Sequence, residues 1–276
     1  SCNVYAKYKP TGDVKRRIII NGHTDSAYEW TLMKIRQEVM VGVLAVDLLC
    51  ALASIVIFSI NIAKGVTPLW SVIFAACTVV AYIGLFFVCN FKVLSPGAND
   101  NLTGVFIAVS ALKCLKESGI RYENTEVCAL LTGSEEAGLR GATAFTKRHK
   151  GENKDVETYI IAFDTMRDYD YMTIYHRDMT GMVKNSPEVV ALLDEACKDP
   201  DVNHPLPHGV VPFGASDAAA FSRGGFKAAA VAGQNPKYAP YYHNRRDTPD
   251  QMIPETFALG LDIALAAIEA FDRDQK

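Results

Sequence analysis

Hydrophobic positions follow two different patterns along this chain of 276 residues. Residues 39–62 and 69–91 form two nearly unbroken apolar runs, separated by the short polar stretch 64–68. Everywhere else, short apolar segments of five to eight residues alternate with longer stretches in which apolar residues recur at helical spacing. Short strands that alternate with amphipathic helices predict an α/β fold, so the two long runs look like an insertion of another kind.

The strands and helices outside the long runs follow one another in a regular order. We predict a three-layer α/β/α fold with a mostly parallel mixed sheet. The predicted strands are 1–9, 17–21, 125–131, 159–163, 172–175 and 228–232, and the predicted helices are 102–116, 141–150, 187–198 and 254–273.

Two adjacent carboxylates, Glu135 and Glu136, directly follow the predicted strand 125–131. Open α/β sheets place their ligand sites at the carboxyl ends of the strands, which favours a chemical role for this pair. Neighbouring side chains point in different directions, so one carboxylate can bind a metal while the other faces the water that the metal activates. Taken alone, the pair is weak evidence, because an exposed acidic turn explains most such pairs.

Further candidate ligands occupy comparable places in the chain. His23 and Asp25 follow a predicted strand, Asp164 ends another, Asp100 precedes the predicted helix 102–116, and His243 lies in an aromatic loop. Histidine and carboxylate ligands suit zinc, and also cobalt or manganese. Asp100 taken alone is equally well explained as the cap of the helix that follows it.

The order of these motifs resembles the M28 family of dinuclear zinc aminopeptidases. The resemblance rests on His-x-Asp, Gly-Ala-Asn-Asp-Asn, Glu-Glu, Asp and a late His, in that order from residue 18 to the C-terminus apart from the insertion. It implies that Asp100 bridges two zinc ions, or two cobalt or manganese ions. His23 and Asp164 would complete one site, and Glu136 and His243 the other.

The same resemblance implies the catalytic roles and the substrate. Glu135 would be the general base, and Asp25 the carboxylate that orients the ligand histidine and raises its basicity. The expected reaction is removal of the first residue from a peptide with a free N-terminus. Two alternatives remain open: a glutaminyl-cyclase-like acyltransferase with one zinc, or an inactive membrane scaffold that kept the fold. Family members usually have more chain before the first motif, so we expect an upstream segment to be missing.

The two apolar runs predict a transmembrane helical hairpin inserted at residues 31–93, which divides a catalytic domain made of residues 1–30 and 94–276. Each run would be about 35 Å long as a helix, enough to cross a bilayer. A soluble hydrophobic lid or a dimer-forming helix pair would explain the same pattern. Lys34, Arg36 and Lys92 flank the hairpin against Lys64 in its loop, which places the catalytic part on the cytoplasmic face. We expect the insertion to anchor the enzyme to membrane lipid without building the active site.

The charge of the chain bears on one class of partner. The net charge of -3 and the absence of a basic stretch give no reason to expect nucleic acid as a partner.

Overall fold

The computed structural model describes residues 2–33, 36–85, 88–151 and 156–274, and the chain divides into two units. The first unit comprises Ser1–Ser26, Gly97–Pro236 and Thr248–Lys276. The second comprises Ala27–Pro96 and Lys237–Asp247. The second unit therefore contains the predicted insertion and, in addition, a short segment from late in the chain.

The first unit is built on one mixed sheet of eight strands. Its strands are β1 (Val4–Tyr8), β2 (Arg16–His23), β5 (Thr125–Thr132), β6 (Glu157–Met166), β7 (Met172–Asp178), β8 (Val183–Lys184), β9 (His208–Val210) and β10 (Lys227–Gly233). The spatial order is β1-β5-β2-β6-β10-β7-β8, with β9 paired to β7. The central strands β5, β2, β6 and β10 are parallel to one another, whereas β1 runs antiparallel to β5 and β7 runs antiparallel to β10.

Helices cover both faces of this sheet, so the predicted three-layer α/β/α fold is confirmed. They are α3 (Thr103–Ser118), α4 (Arg140–His149), α5 (Pro187–Cys197), α6 (Asp217–Arg223) and α7 (Pro254–Arg273). Alternate residues of each strand point to opposite faces. Ile18 and Ile20 therefore pack with α3, α5 and α7 in one core, while Ile19 packs with α4 and α6 in the other.

Two glycines bring the end of β2 close to the start of α3. A Cβ atom on Gly22 would lie 2.4 Å from the carbonyl carbon of Gly104, and one on Gly104 would lie 2.3 Å from the carbonyl oxygen of Phe163. Any side chain at either position would push these backbones apart. The close approach draws the ends of β2 and β6 together at the start of α3.

The second unit contains a helical hairpin and a small antiparallel sheet. Helix α1 is Gln37–Lys64 and helix α2 is Leu69–Leu85, and strand β3 (Tyr28–Trp30) pairs with β4 (Cys89–Leu94). The second apolar run was expected to be helical to residue 91, and this is wrong for its last part, where Cys89 begins a strand. A continuous apolar run has no clear hydrophobic period, so the sequence does not show where a helix ends and a short strand begins.

Candidate metal centre

His23 ends β2 and is only 2 % exposed. Its Nδ1–H donates a hydrogen bond to the backbone oxygen of Asp25, 3.0 Å away. With Nδ1 acting as a donor, Nε2 is the nitrogen that can give up its proton and bind a metal through its lone pair. The Asp25 carboxylate, which the resemblance assigns to orienting this histidine, lies farther from Nδ1, with its Oδ1 3.8 Å away. That assignment stays a prediction.

Two carboxylates face the Nε2 atom of His23. Oδ1 of Asp100 lies 3.1 Å from it and Oδ1 of Asp164 lies 3.7 Å from it. Two ligand atoms bound to one tetrahedral zinc ion at about 2.0–2.1 Å lie about 3.3 Å apart, so these spacings match a shared ion. The predicted first site is thus brought together from three separate parts of the chain.

Asp100 lies in an irregular turn before α3, and the N-cap position of that helix is Leu102. The turn is held by its neighbour Asn101. The Asn101 side chain donates to the carbonyl oxygen of Phe163 at 2.8 Å and accepts from the backbone N–H of Gly104 at 3.0 Å. Asn101 therefore fixes the Asp100 turn to the end of β6, where Asp164 lies.

The Glu135–Glu136 turn follows β5 and is held by Asp25. One carboxylate oxygen of Asp25 accepts from the backbone N–H of Glu135 at 2.9 Å, and the other accepts from that of Glu136 at 3.2 Å. Donor atoms of His23, Glu135 and Glu136 all lie within 4.8 Å of one another. Asp25 thus positions both glutamates, a role that the sequence did not indicate because it acts through backbone amides about 110 positions away.

The cluster concentrates negative charge in a buried place. Burial raises the pKa of Glu135 well above its ordinary value, and the charges of Asp164, Asp217 and Glu136 raise it further against the opposing effect of His23. Burial lowers the pKa of His23, but hydrogen bonds to Asp100 and Asp164 outweigh that effect and raise it well above the usual value. A divalent cation would relieve this repulsion between carboxylates.

Asp217, at the start of α6, is a further acidic group in the cluster and is 2 % exposed. Its Oδ2 accepts a hydrogen bond from the hydroxyl of Thr132. Its Oδ1 is buried and receives no hydrogen bond from any residue that the structure describes. Burial raises the pKa of Asp217 to about 6. The N-cap of α6 is the preceding residue Ser216, whose side chain accepts from the N–H of Ala218.

His243, the last predicted ligand, lies in the second unit. Its ring stacks on Tyr242 with centroids 3.8 Å apart, and it meets the ring of Trp30 edge-on at 5.3 Å. Its assignment as a ligand of a second ion stays a prediction.

The donor set suits a divalent ion of borderline hardness. One imidazole nitrogen and several carboxylate oxygens converge in the first unit, and none of these ligands is a thiolate. Zinc, cobalt and manganese accept this combination. The residues present therefore fit the metal that the sequence indicated.

Comparison with known proteins agrees with the fold. A model of peptidase family M28 matches residues 81–268. An aminopeptidase from Aneurinibacillus sp. strain AM-1 superposes with a TM-score of 0.60 at 21 % identity, over 96 % of this chain and 47 % of that one. A zinc aminopeptidase from Bacillus subtilis superposes with a TM-score of 0.61 at 18 % identity, over 96 % and 49 %.

A glutaminyl cyclase from an Acidobacteriales bacterium has the same fold. It superposes with a TM-score of 0.62 at 14 % identity, over 99 % of this chain and 74 % of that one. The chain thus spans about half the length of the two aminopeptidases and more of the cyclase.

Proposed function

This chain belongs to peptidase family M28, and we propose on that basis that it is a metal-dependent aminopeptidase that works with two zinc ions. The observation that carries the proposal is the convergence of His23, Asp100 and Asp164, with Glu135 and Glu136 beside them. These residues come from the carboxyl ends of neighbouring parallel strands and from the turn before α3, which is where α/β enzymes hold their ligands.

The assignment of ligands follows the family resemblance. Asp100 would be shared by the two ions, His23 and Asp164 would complete one site, and Glu136 and His243 would complete the other. Cobalt or manganese could replace zinc in such a set. When bound, the ions would lower the pKa of a water molecule towards neutrality and polarise the peptide carbonyl.

The chain's own residues then provide positioning and proton transfer. Glu135 accepts a proton from the attacking water and passes it to the nitrogen of the leaving amine. Burial raises the pKa of Glu135. A raised pKa suits a carboxylate that must first accept a proton and then release it. Asp25 keeps this carboxylate in place by accepting the N–H groups of Glu135 and Glu136.

The expected substrates are peptides with a free N-terminus. The acidic groups around the site, among them Asp164 and Asp217, favour a protonated amine over a neutral acyl group. Buried binding groups that a wrong substrate leaves unpaired are costly, so a blocked N-terminus should be rejected.

We therefore expect the detergent-purified protein to contain two zinc ions and to hydrolyse aminoacyl-nitroanilides, with N-acetylated versions turned over at least about 10²-fold more slowly. Elemental analysis and release of nitroaniline measure both. Similar rates on free and acetylated substrates would contradict the aminopeptidase assignment. A single ion, together with ammonia release from peptides that begin with glutamine, would indicate the cyclase alternative. Two ions without any turnover would indicate the inactive scaffold.

We further propose that the hairpin of the second unit lies in a membrane. Helix α1 is the one helix among the described residues that is long and apolar enough to cross a bilayer, with a mean hydropathy of 2.6 over its best window. At 17 residues, α2 is about 26 Å long, slightly short of a hydrocarbon core of about 30 Å.

The side chains of the hairpin are arranged the opposite way from those of a soluble protein. Large apolar residues face outwards, such as Leu49 at 65 % and Ile62 at 80 % exposed. Polar residues such as Asp47 and Thr78 are buried at 7 % and 5 % exposed. Apolar outside and polar inside is the arrangement that lipid favours, because a polar side chain in hydrocarbon is costly.

The flanking charges support an orientation with the catalytic part in the cytoplasm. Arg36 and Lys92 lie beside the ends of the hairpin, while Lys64 lies at its loop. Lys34, which adds to the first group in the sequence, lies outside the described residues. Positive charge on the side of the hairpin ends favours that side as the cytoplasmic one.

We expect the full chain to stay in the membrane fraction during carbonate extraction and to enter solution only with detergent. Val56→Arg should move a large part of the protein out of the membrane, because arginine within a span costs about 2.5–3.5 kcal/mol on insertion scales. Val109→Arg, at a valine of similar exposure on α3, serves as the matched control and should leave the distribution unchanged. A wild-type chain that is soluble without detergent would favour the lid or the dimer-forming helix pair.

A further inference from the structure

The segment that carries His243 is held by the strands at the foot of the hairpin. We call residues 237–247 the His243 loop, and residues 27–31 together with 88–96 the hairpin base. The backbone N–H of Trp30 donates to the carbonyl oxygen of His243 at 2.8 Å, and the hydroxyl of Ser95 donates to the carbonyl oxygen of Asn244 at 3.0 Å. Successive residues of the loop are thus tied to both sides of the hairpin base.

An ion pair adds a third connection. Glu29 of β3 is fully buried, and its carboxylate accepts from Nε of Arg245 at 2.7 Å and from Nη2 at 2.8 Å. It also accepts from the backbone N–H of Arg245 at 3.3 Å. A two-point contact between a guanidinium and a carboxylate fixes direction as well as distance. Glu29 therefore fixes both the side chain and the backbone two residues beyond His243.

The backbone of His243 needs such support. Its φ angle is +50°, in the left-handed region that residues other than glycine rarely adopt. A residue in this region is strained and persists only where its surroundings hold it there. The N–H of Trp30 holds the carbonyl of His243, and the ring of Trp30 packs edge-on against the imidazole.

We propose that the hairpin base is part of the metal-binding apparatus, with Glu29 and Trp30 acting as positioning residues for His243. The inference rests on the proposed function, in which His243 is a ligand of the second ion. Outer contacts that orient a ligand histidine typically change metal affinity by about 10–100-fold. In this proposal the insertion contributes to the metal site. This differs from the expectation drawn from the sequence, in which the insertion serves only as an anchor.

The proposal makes a selective prediction about metal binding. Loss of a contact that only stabilises the fold weakens both ions together, whereas loss of a contact that orients His243 weakens one of the two. The first ion relies on His23, Asp100 and Asp164, none of which belongs to the His243 loop or to the hairpin base. The affinity of each ion, measured separately, therefore distinguishes the two explanations.

The experiment uses the full chain in detergent and measures zinc binding by competition with a chromophoric chelator, together with thermal unfolding of the metal-free form. We expect Glu29→Gln and Trp30→Ala each to weaken one of two zinc ions about 10–100-fold and to leave the other at its wild-type affinity. Trp30→Phe, which keeps an aromatic ring, should recover most of that loss. Lys92→Gln, at an exposed position of β4 in the same small sheet, is the matched control and should bind both ions normally.

Further outcomes test the positioning role of Glu29 and Trp30 separately from the assignment of His243 as a ligand. If His243→Ala loses one ion but Glu29→Gln and Trp30→Ala keep both at full affinity, the positioning role is wrong and the ligand assignment stands. Equal weakening of both ions, with a lower melting temperature of the metal-free protein, would also overturn the positioning role. If His243→Ala keeps both ions, the ligand assignment in the proposed function fails.

Discussion

Replacing Glu135 with glutamine should lower the rate of peptide hydrolysis about 10²–10⁴-fold while both metal ions and the fold are retained. Glutamine has nearly the same shape but cannot accept the proton of the attacking water. The turn itself should persist, because Asp25 holds it through backbone N–H groups that the substitution leaves in place. Steady-state hydrolysis of an aminoacyl-nitroanilide and elemental analysis of the same sample measure the two effects.

Glu117→Gln, on the exposed surface of α3, is the control and should hydrolyse at the wild-type rate. Glu136→Gln gives the informative contrast, because Glu136 is the proposed ligand and its loss should reduce the metal content. Wild-type turnover by Glu135→Gln would show that the general base is another residue. Loss of metal from Glu135→Gln would mean that the roles of the two neighbouring glutamates are reversed.

Asp100→Ala should have a larger effect still, with loss of both zinc ions and of detectable hydrolysis. As the proposed bridge, Asp100 would hold both ions, and its Oδ1 lies 3.1 Å from Nε2 of His23, against 3.7 Å for Oδ1 of Asp164. Asp100 is 4 % exposed, so water does not easily replace the missing oxygen. Zinc content after gel filtration, with circular dichroism to check the fold, measures the result.

Asp13→Asn, at an exposed position of the same unit, should keep both ions and full activity. Two ions retained by a folded Asp100→Ala variant would exclude Asp100 as the bridge. One retained ion would assign Asp100 to a single site.

The sequence alone could predict the central sheet and the residues at its edge. The strands β2, β5 and β6 each contain a continuous apolar segment, and residues at the carboxyl ends of parallel strands meet at one edge. That rule is sufficient to bring His23, Asp164 and the glutamate pair together. The sequence also predicted α7 with its correct ends, because Pro254 marks a helix start and apolar residues recur at helical spacing up to Arg273.

The sequence could not predict the contacts between residues far apart in the chain. The bond from Asp25 to the glutamate turn uses backbone N–H groups, which every residue except proline has, so residue types give no signal. The Glu29–Arg245 pair joins residues 216 positions apart. Glutamate and arginine are mostly exposed in proteins, so the sequence would place both on the surface. The three-residue strand β3 is too short to show a period.

The position of the hairpin in the chain has a consequence for how the protein is made. Strand β2 lies between β5 and β6 in the sheet, yet roughly 100 residues, including the whole hairpin, separate its end from the start of β5. At about 5–20 residues per second, β2 leaves the ribosome about 5–20 seconds before its first partner. During that time the apolar hairpin emerges, so a hairpin that enters a bilayer does so before the catalytic sheet can close. Insertion into the membrane would thus precede folding of the catalytic sheet. The zinc ligands would come together only afterwards, on the membrane surface.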